Sequence, residues 1–259
     1  MKIFETYTVA MFAFFVALTS PTDSVSQTLN VICDEWPPYQ IIDDNKVDGF
    51  STNVVKTVFS RMGVDIGTIR VYPWKRAITM LENGTADALF SVNFEKSRSQ
   101  FALYPKETII LSPWVMWSRE EDRLKFDSLN DLIGKIVGMV RGYSYTPELW
   151  DFVKKHEIYE EASNDKQNFL KLNFGRIDVI PAELGNGLYL VNKLGLNTVE
   201  PLMRNPLKRD GLYIIFNKNN IDGSFVDKFS AELKKLKQEP IYKNLYDEYF
   251  TLVSQLPGK

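Results

Sequence analysis

The chain has 259 residues, with 31 Lys+Arg against 33 Asp+Glu, a formal net charge of −2 and 44% hydrophobic residues. That balance, without a basic stripe, acidic tail or low-complexity tract, excludes nucleic acid as an expected partner and fits an ordinary globular protein. A single cysteine, Cys33, allows no intramolecular disulfide, and a single histidine, His156 in the charged stretch KKHE, gives no zinc-ligand pattern. No metal and no other cofactor is expected.

Residues 9–18, VAMFAFFVAL, form an apolar run of ten behind Lys2, too short to cross a bilayer and the right length for the core of a signal peptide. The polar run SPTDSVSQT follows, so residues 1–26 are expected to be a signal peptide cut between Ser26 and Gln27, which puts the mature chain in the periplasm. The remainder is long enough to bury one large core or two modest ones.

From there the pattern alternates strands with helices. Residues 29–33 read as a short strand holding Cys33 as a buried thiol. Residues 51–62 place Val54, Val55, Val58, Phe59 and Met62 on one helical face, with Ser51 as the cap and Gly63 as the stop. A strand is expected over 66–71, then a helix carrying Trp74, Ala77, Ile78 and Leu81 that ends at Gly84. A buried strand follows over 86–92, and then the polar run Ser91, Asn93, Glu95, Lys96, Ser97, Arg98. Ligands of open α/β sheets lie at the carboxyl ends of such strands, which makes that run the first place to look.

After an apolar run at 109–117 and the charged stretch SREEDRLKFD, a second unit begins. It has a strand at 135–140, a helix opened by Thr146-Pro147-Glu148, a helix over 164–172, a strand at 178–181 and a helix over 183–194 weakened by Gly185 and Gly187. A strand at 212–217 and two terminal helices complete the chain. The expected fold is α/β and two-lobed, with 27–115 and 213–259 in lobe 1 and 116–212 in lobe 2. Each lobe is a mainly parallel sheet flanked by helices, and two strands crossing near 114–118 and 209–213 join them.

Several segments carry a family resemblance: WPPYQ at 36–40 with DGF at 48–50, GTADALFS followed by Arg98, SLNDLIGKIVGMVRGYS at 128–144, GRIDVIPAE at 175–183 and GLYIIFNK at 211–218. In that order and spacing the chain resembles the bacterial extracellular solute-binding proteins of family 3, periplasmic binding proteins of type II topology, from about residue 30 to 250.

The resemblance implies a ligand clamped between the lobes. Trp36, Tyr39 and Trp74 fall where the family sets aromatic walls, with core packing as the other reading of each. Arg98 falls where the family holds a carboxylate, a task suited to a guanidinium fork, or else it pairs at the surface with Glu95. Ser91 and Asn93 line the same polar run. Gly142, Tyr143 and Ser144 follow a strand and precede a helix, where free N–H groups receive anions. Glu183 stands where amino-acid binders hold the ligand ammonium, or it is simply an acid in the first turn of a helix.

The function implied is capture of a small polar solute, an amino acid or related carboxylate, for delivery to the membrane permease of an ABC transporter. The protein would be a monomer and not an enzyme. The alternatives are a sensor subunit that reports to a receptor and a cyclohexadienyl-dehydratase-like enzyme on the same fold.

Overall fold

The structure is a computed structural model that describes residues 28–44 and 46–254; the expected signal peptide at 1–26 lies outside the described residues. In chain order the elements are β1 (Val31–Cys33), β2 (Ile41–Asp43), β3 (Lys46–Asp48), α1 (Phe50–Arg61), β4 (Arg70–Val71), α2 (Trp74–Glu82), β5 (Ala88–Asn93), β6 (Ala102–Leu103) and β7 (Ile110–Arg119). There follow β8 (Val137–Val140), α3 (Pro147–Lys155), β9 (Tyr159–Ala162), α4 (Asp165–Asn173), β10 (Ile180–Glu183), α5 (Leu184–Leu194), β11 (Val199–Leu202), β12 (Lys208–Asn217), α6 (Gly223–Leu236) and α7 (Pro240–Ser254).

Local chemistry accounts for most of these boundaries. Thr146 and Asn164 accept the backbone N–H of Leu149 and Gln167 and so cap α3 and α4. The cap of α1 is Gly49 and not Ser51, which lies inside the helix with its hydroxyl unpartnered. Gly49 has φ +107°, and a Cβ there would sit 2.6 Å from the Tyr39 carbonyl oxygen, so no other residue fits. The strand expected over 66–71 shrinks to Arg70–Val71 because Gly67, at φ +52°, turns the chain and gives its N–H to Asp65. Cys33 is buried, and His156 ends α3 with its ring against Phe152.

The fold is two-lobed. In the first lobe β1 pairs in parallel with β4 and β5, and in the second β8 pairs in parallel with β9. The two long strands join them: β12 runs antiparallel to β5 on one side and to β7 on the other, while β7 pairs antiparallel with β10 and β11 of the second lobe. The terminal helices return to the first lobe, where Phe59 of α1 packs on Phe229 of α6 and Phe50 on Tyr242 and Phe250 of α7.

Gly185 and Gly187 do not break α5; they let it approach its neighbours. A Cβ on Gly187 would lie 2.1 Å from the Trp117 ring, and that ring is fully buried against Phe169. Gly187→Ala is therefore expected to lower stability by about 1–3 kcal/mol in urea unfolding, the usual cost of overpacking. A loss below about 0.5 kcal/mol would mean that α5 moves off Trp117 freely.

Candidate functional site

Between the lobes lies a small inner compartment of about 20 Å³, room for about one water. Trp36, Trp74, Trp114 and Tyr143 wall it, and Asp34, Ser91, Asn93 and Ser144 supply polar groups. It adjoins an outer cleft of about 340 Å³, which shares Asp34, Trp36, Trp74 and Tyr143 and adds Asp165 and Lys166. A volume of that size suits a small solute.

The elements explain the arrangement. Trp36 and Asp34 follow β1, Trp74 opens α2, Trp114 lies on β7, and Tyr143 lies in the loop between β8 and α3. Trp36 stacks on Trp114 with centroids 6.1 Å apart, and Tyr143 sets an edge against Trp36, Trp74 and Trp114. Ser91 is the extra residue where the pairing of β5 with β12 shifts register, between Phe90↔Ile214 and Val92↔Tyr213. Its φ of +61° is a strained value for a serine and is typical of a bulge beside a site.

Hydrogen bonds cross the cleft and hold it closed. The Trp36 indole N–H donates to Asp165 Oδ2 at 2.9 Å, and the Trp74 indole N–H donates to the Gly142 carbonyl at 2.9 Å. Arg98, only 5% exposed, donates to Ser144 Oγ at 3.3 Å and to the Asn93 carbonyl at 3.1 Å, and it lies over the Trp74 ring. It also pairs with Glu95 at 2.9 Å, but as a buried group and not at the surface as the alternative reading had it. Lys208 on β12 donates to the Ser144 carbonyl at 2.8 Å and lies over Trp114, a second cation at this end that the sequence reading passed over.

Two carboxyls also face the cleft, Asp34 in both compartments and Asp165 in the outer one. Asp34 and Asp165 are both buried, and among the described residues neither forms a salt bridge. Burial pushes the Asp34 carboxyl up to about 7, with Asp165 and Glu35 adding to the rise. Burial likewise raises Asp165 to about 6, opposed by the hydrogen bonds from Trp36 and Tyr143.

Of the ten expected site residues, Trp36, Trp74, Ser91, Asn93, Tyr143 and Ser144 line the inner compartment, and Arg98 and Gly142 reach it through Ser144 and Trp74. The Tyr143 N–H is already bonded to the Val140 carbonyl and is not free for an anion. Tyr39 and Glu183 are not brought to this compartment. They line a separate cavity beside α7, where Glu183 caps α5 by accepting the Asn186 N–H at 2.7 Å and takes a hydrogen bond from Tyr39. Glu183 is the N-cap of α5, one residue before the first turn in which the alternative reading placed it. Sequence reasoning missed Asp34, Trp114, Asp165 and Lys208; an acid beside the aromatic in CDEW was the one available signal.

A two-lobed molecule closing on an aromatic, charged cleft is the architecture of a solute-binding protein. Residues 29–252 match the bacterial extracellular solute-binding proteins, family 3, and the chain belongs to that family. It is accordingly a binding protein and not an enzyme. It is similar to the arginine-binding periplasmic protein of Mannheimia haemolytica, 24% identical over 234 residues that cover 86% of this chain and 91% of the relative. Its fold is similar to that of an ancestral arginine-binding protein bound to arginine, with a TM-score of 0.75, 21% identity and coverage of 86% and 98%. A histidine kinase sensor domain with similarity to periplasmic binding proteins gives a TM-score of 0.76 at 19% identity, with coverage of 86% and 96%.

The raised carboxyls carry a prediction for stability. Because the folded state keeps protons that the unfolded chain releases above its usual 3.8, stability falls as pH rises from about 4 towards about 7, and the loss is complete above that. Asp34→Asn should flatten this decline and raise stability at pH 8 by on the order of 2 kcal/mol in denaturant unfolding. An unchanged slope would show that Asp34 ionises freely in the folded protein.

Proposed function

We propose that the protein is an exported amino-acid-binding protein that takes a basic α-amino acid between its lobes and delivers it to the permease of an ABC transporter. The observation that carries the reading is the pair of buried carboxylates, Asp34 and Asp165, which no cation of the described residues balances. Buried acids without a counter-charge are costly, and a cationic ligand removes the cost.

In this reading the α-carboxylate lies toward Arg98 and Ser144, the α-ammonium meets Asp34, and a cationic side chain runs along Trp36 into the outer cleft toward Asp165. The lobes, 27–115 with 213–259 against 116–212, turn on β7 and β12. The indole bonds from Trp36 and Trp74 form as they meet, so closure and binding share one free energy. Residues 1–26 are the signal peptide that directs export, and the arginine-binding relative supports a basic amino acid as the ligand.

L-Arginine at a hundredfold excess over its dissociation constant should stabilise the protein by about 2.7 kcal/mol in thermal shift. Citrulline, its neutral isostere, should bind at least about tenfold more weakly in calorimetry, and Asp165→Asn should erase that difference. Equal affinity for the two in the wild type would remove the acid pair from recognition. The likeness to a sensor domain supports a second reading, in which the closed protein reports occupancy to a receptor. Capture of a receptor kinase and no permease from solubilised membranes would favour it.

A further inference from the structure

The chain has five tryptophans, and four of them spend the indole N–H inside the protein: Trp36 on Asp165, Trp74 on Gly142, Trp117 on the Ala182 carbonyl and Trp150 on the Tyr143 carbonyl. Trp114 is the exception. Its ring is 3% exposed, yet its Nε1 is buried without a partner. An indole N–H can only donate, and a buried donor left unmet carries the full cost of its desolvation. Native proteins keep few such groups, and each calls for an explanation.

The position supplies one. Trp114 lines the inner compartment, and so does Ser91, whose hydroxyl is buried and unpartnered as well. Of the other unpartnered side chains, those of Gln40, Ser51, Ser112, Ser118 and Asn168 line neither that compartment nor the outer cleft, and Asn186, whose Oδ1 is an acceptor, lines the outer cleft and not the inner compartment. The Trp114 ring is also held in place. Trp36 stacks on it, Tyr143 and Tyr145 meet it edge-on, and the Lys208 ammonium lies 5.2 Å from its centroid. A cation over the ring draws electron density from the indole and strengthens its N–H as a donor.

The anion end of the cleft needs such a donor. Both terminal nitrogens of Arg98 already donate within the protein, to Asn93 on one side and to Ser144 and Glu95 on the other, so neither two-donor edge of the guanidinium is left whole. The inner compartment, at about 20 Å³, admits an oxygen and not a whole amino acid.

We propose that Trp114 is a ligand-binding residue whose indole N–H, with the Ser91 hydroxyl in the same compartment, receives a carboxylate oxygen of the bound amino acid. This rests on the amino-acid reading above. Trp114 thereby links recognition to the hinge, since it is carried by a strand that joins the lobes.

The test is an indole N–H spectrum of the ¹⁵N-labelled protein titrated with L-arginine, with the Trp114 resonance assigned by its loss in Trp114→Phe. Trp114 should move further downfield than any other indole. Trp114→Phe, which keeps a ring and loses the N–H, should bind L-arginine about tenfold more weakly while binding agmatine, which lacks the carboxylate, as the wild type does. If L-arginine raises the melting temperature while the Trp114 resonance stays in place and the variant binds it unchanged, Trp114 is outside the site and the amino-acid reading stands. If L-arginine moves neither the melting temperature nor any indole, the basic-amino-acid reading fails and this contact fails with it. Should the variant not fold, the wild-type shift decides alone, assigned through the contact of the Trp114 ring with the Lys208 side chain.

Discussion

The antiparallel pairing of β7 with β12 is the constraint on which the rest depends. Its register sets Lys208 opposite Trp114 and Leu212 opposite Ile110, so two segments almost a hundred residues apart in sequence become one ribbon between the lobes. On one side of the ribbon β12 continues into the first lobe by pairing with β5, and on the other β7 continues into the second by pairing with β10 and β11. A two-stranded link can bend and twist where a packed core cannot, which is why the proposed closure turns there. The same register puts a cation over an aromatic ring at the floor of the cleft.

Around that ribbon the cleft is polarised. Arg98 and Lys208 converge on Ser144 from the first lobe and the hinge, one on its hydroxyl and one on its carbonyl. Each has an acid of its own, Glu95 and Asp210, so this end is close to neutral overall. Toward the outer cleft, Asp165 and Asp34, the latter also a wall of the inner compartment, have hydrogen bonds but no cation. Desolvation raises both carboxyls and Coulomb repulsion between them raises Asp34 further, so the closed cleft favours a positive charge more than an open one would. Aromatic walls between the two ends exclude water and strengthen both effects.

Much of this was legible in the sequence. The helical stripe from Val54 to Phe59, the cap at Thr146, the strand through Leu89 and the helices from Phe225 onward all agree with the structure because local pattern and burial coincide there. The hairpin of β2 and β3 and the strands β9 and β11 were missed, since YEEA and VEPL are partly exposed and carry no apolar run. The site divides in the same way. The family resemblance pointed to Trp36 and Trp74, which line the inner compartment, and to Arg98, which the polar run after β5 also marked and which bonds to Ser144 at its edge. Asp165 is the first residue of α4, and its place at the cleft shows only in its hydrogen bonds from Trp36 and Tyr143, neither of them a neighbour in sequence. Trp114 looked like one more apolar residue of a strand, and only its unpaired nitrogen sets it apart.

A crystal structure of the protein with L-arginine tests the central claim most directly. The account predicts one ligand between the lobes, its carboxylate toward Arg98, Ser144 and Trp114, its α-ammonium at Asp34 and its guanidinium toward Asp165. A ligand bound outside this cleft, or one with its cationic end turned toward Arg98 and Lys208, would contradict it.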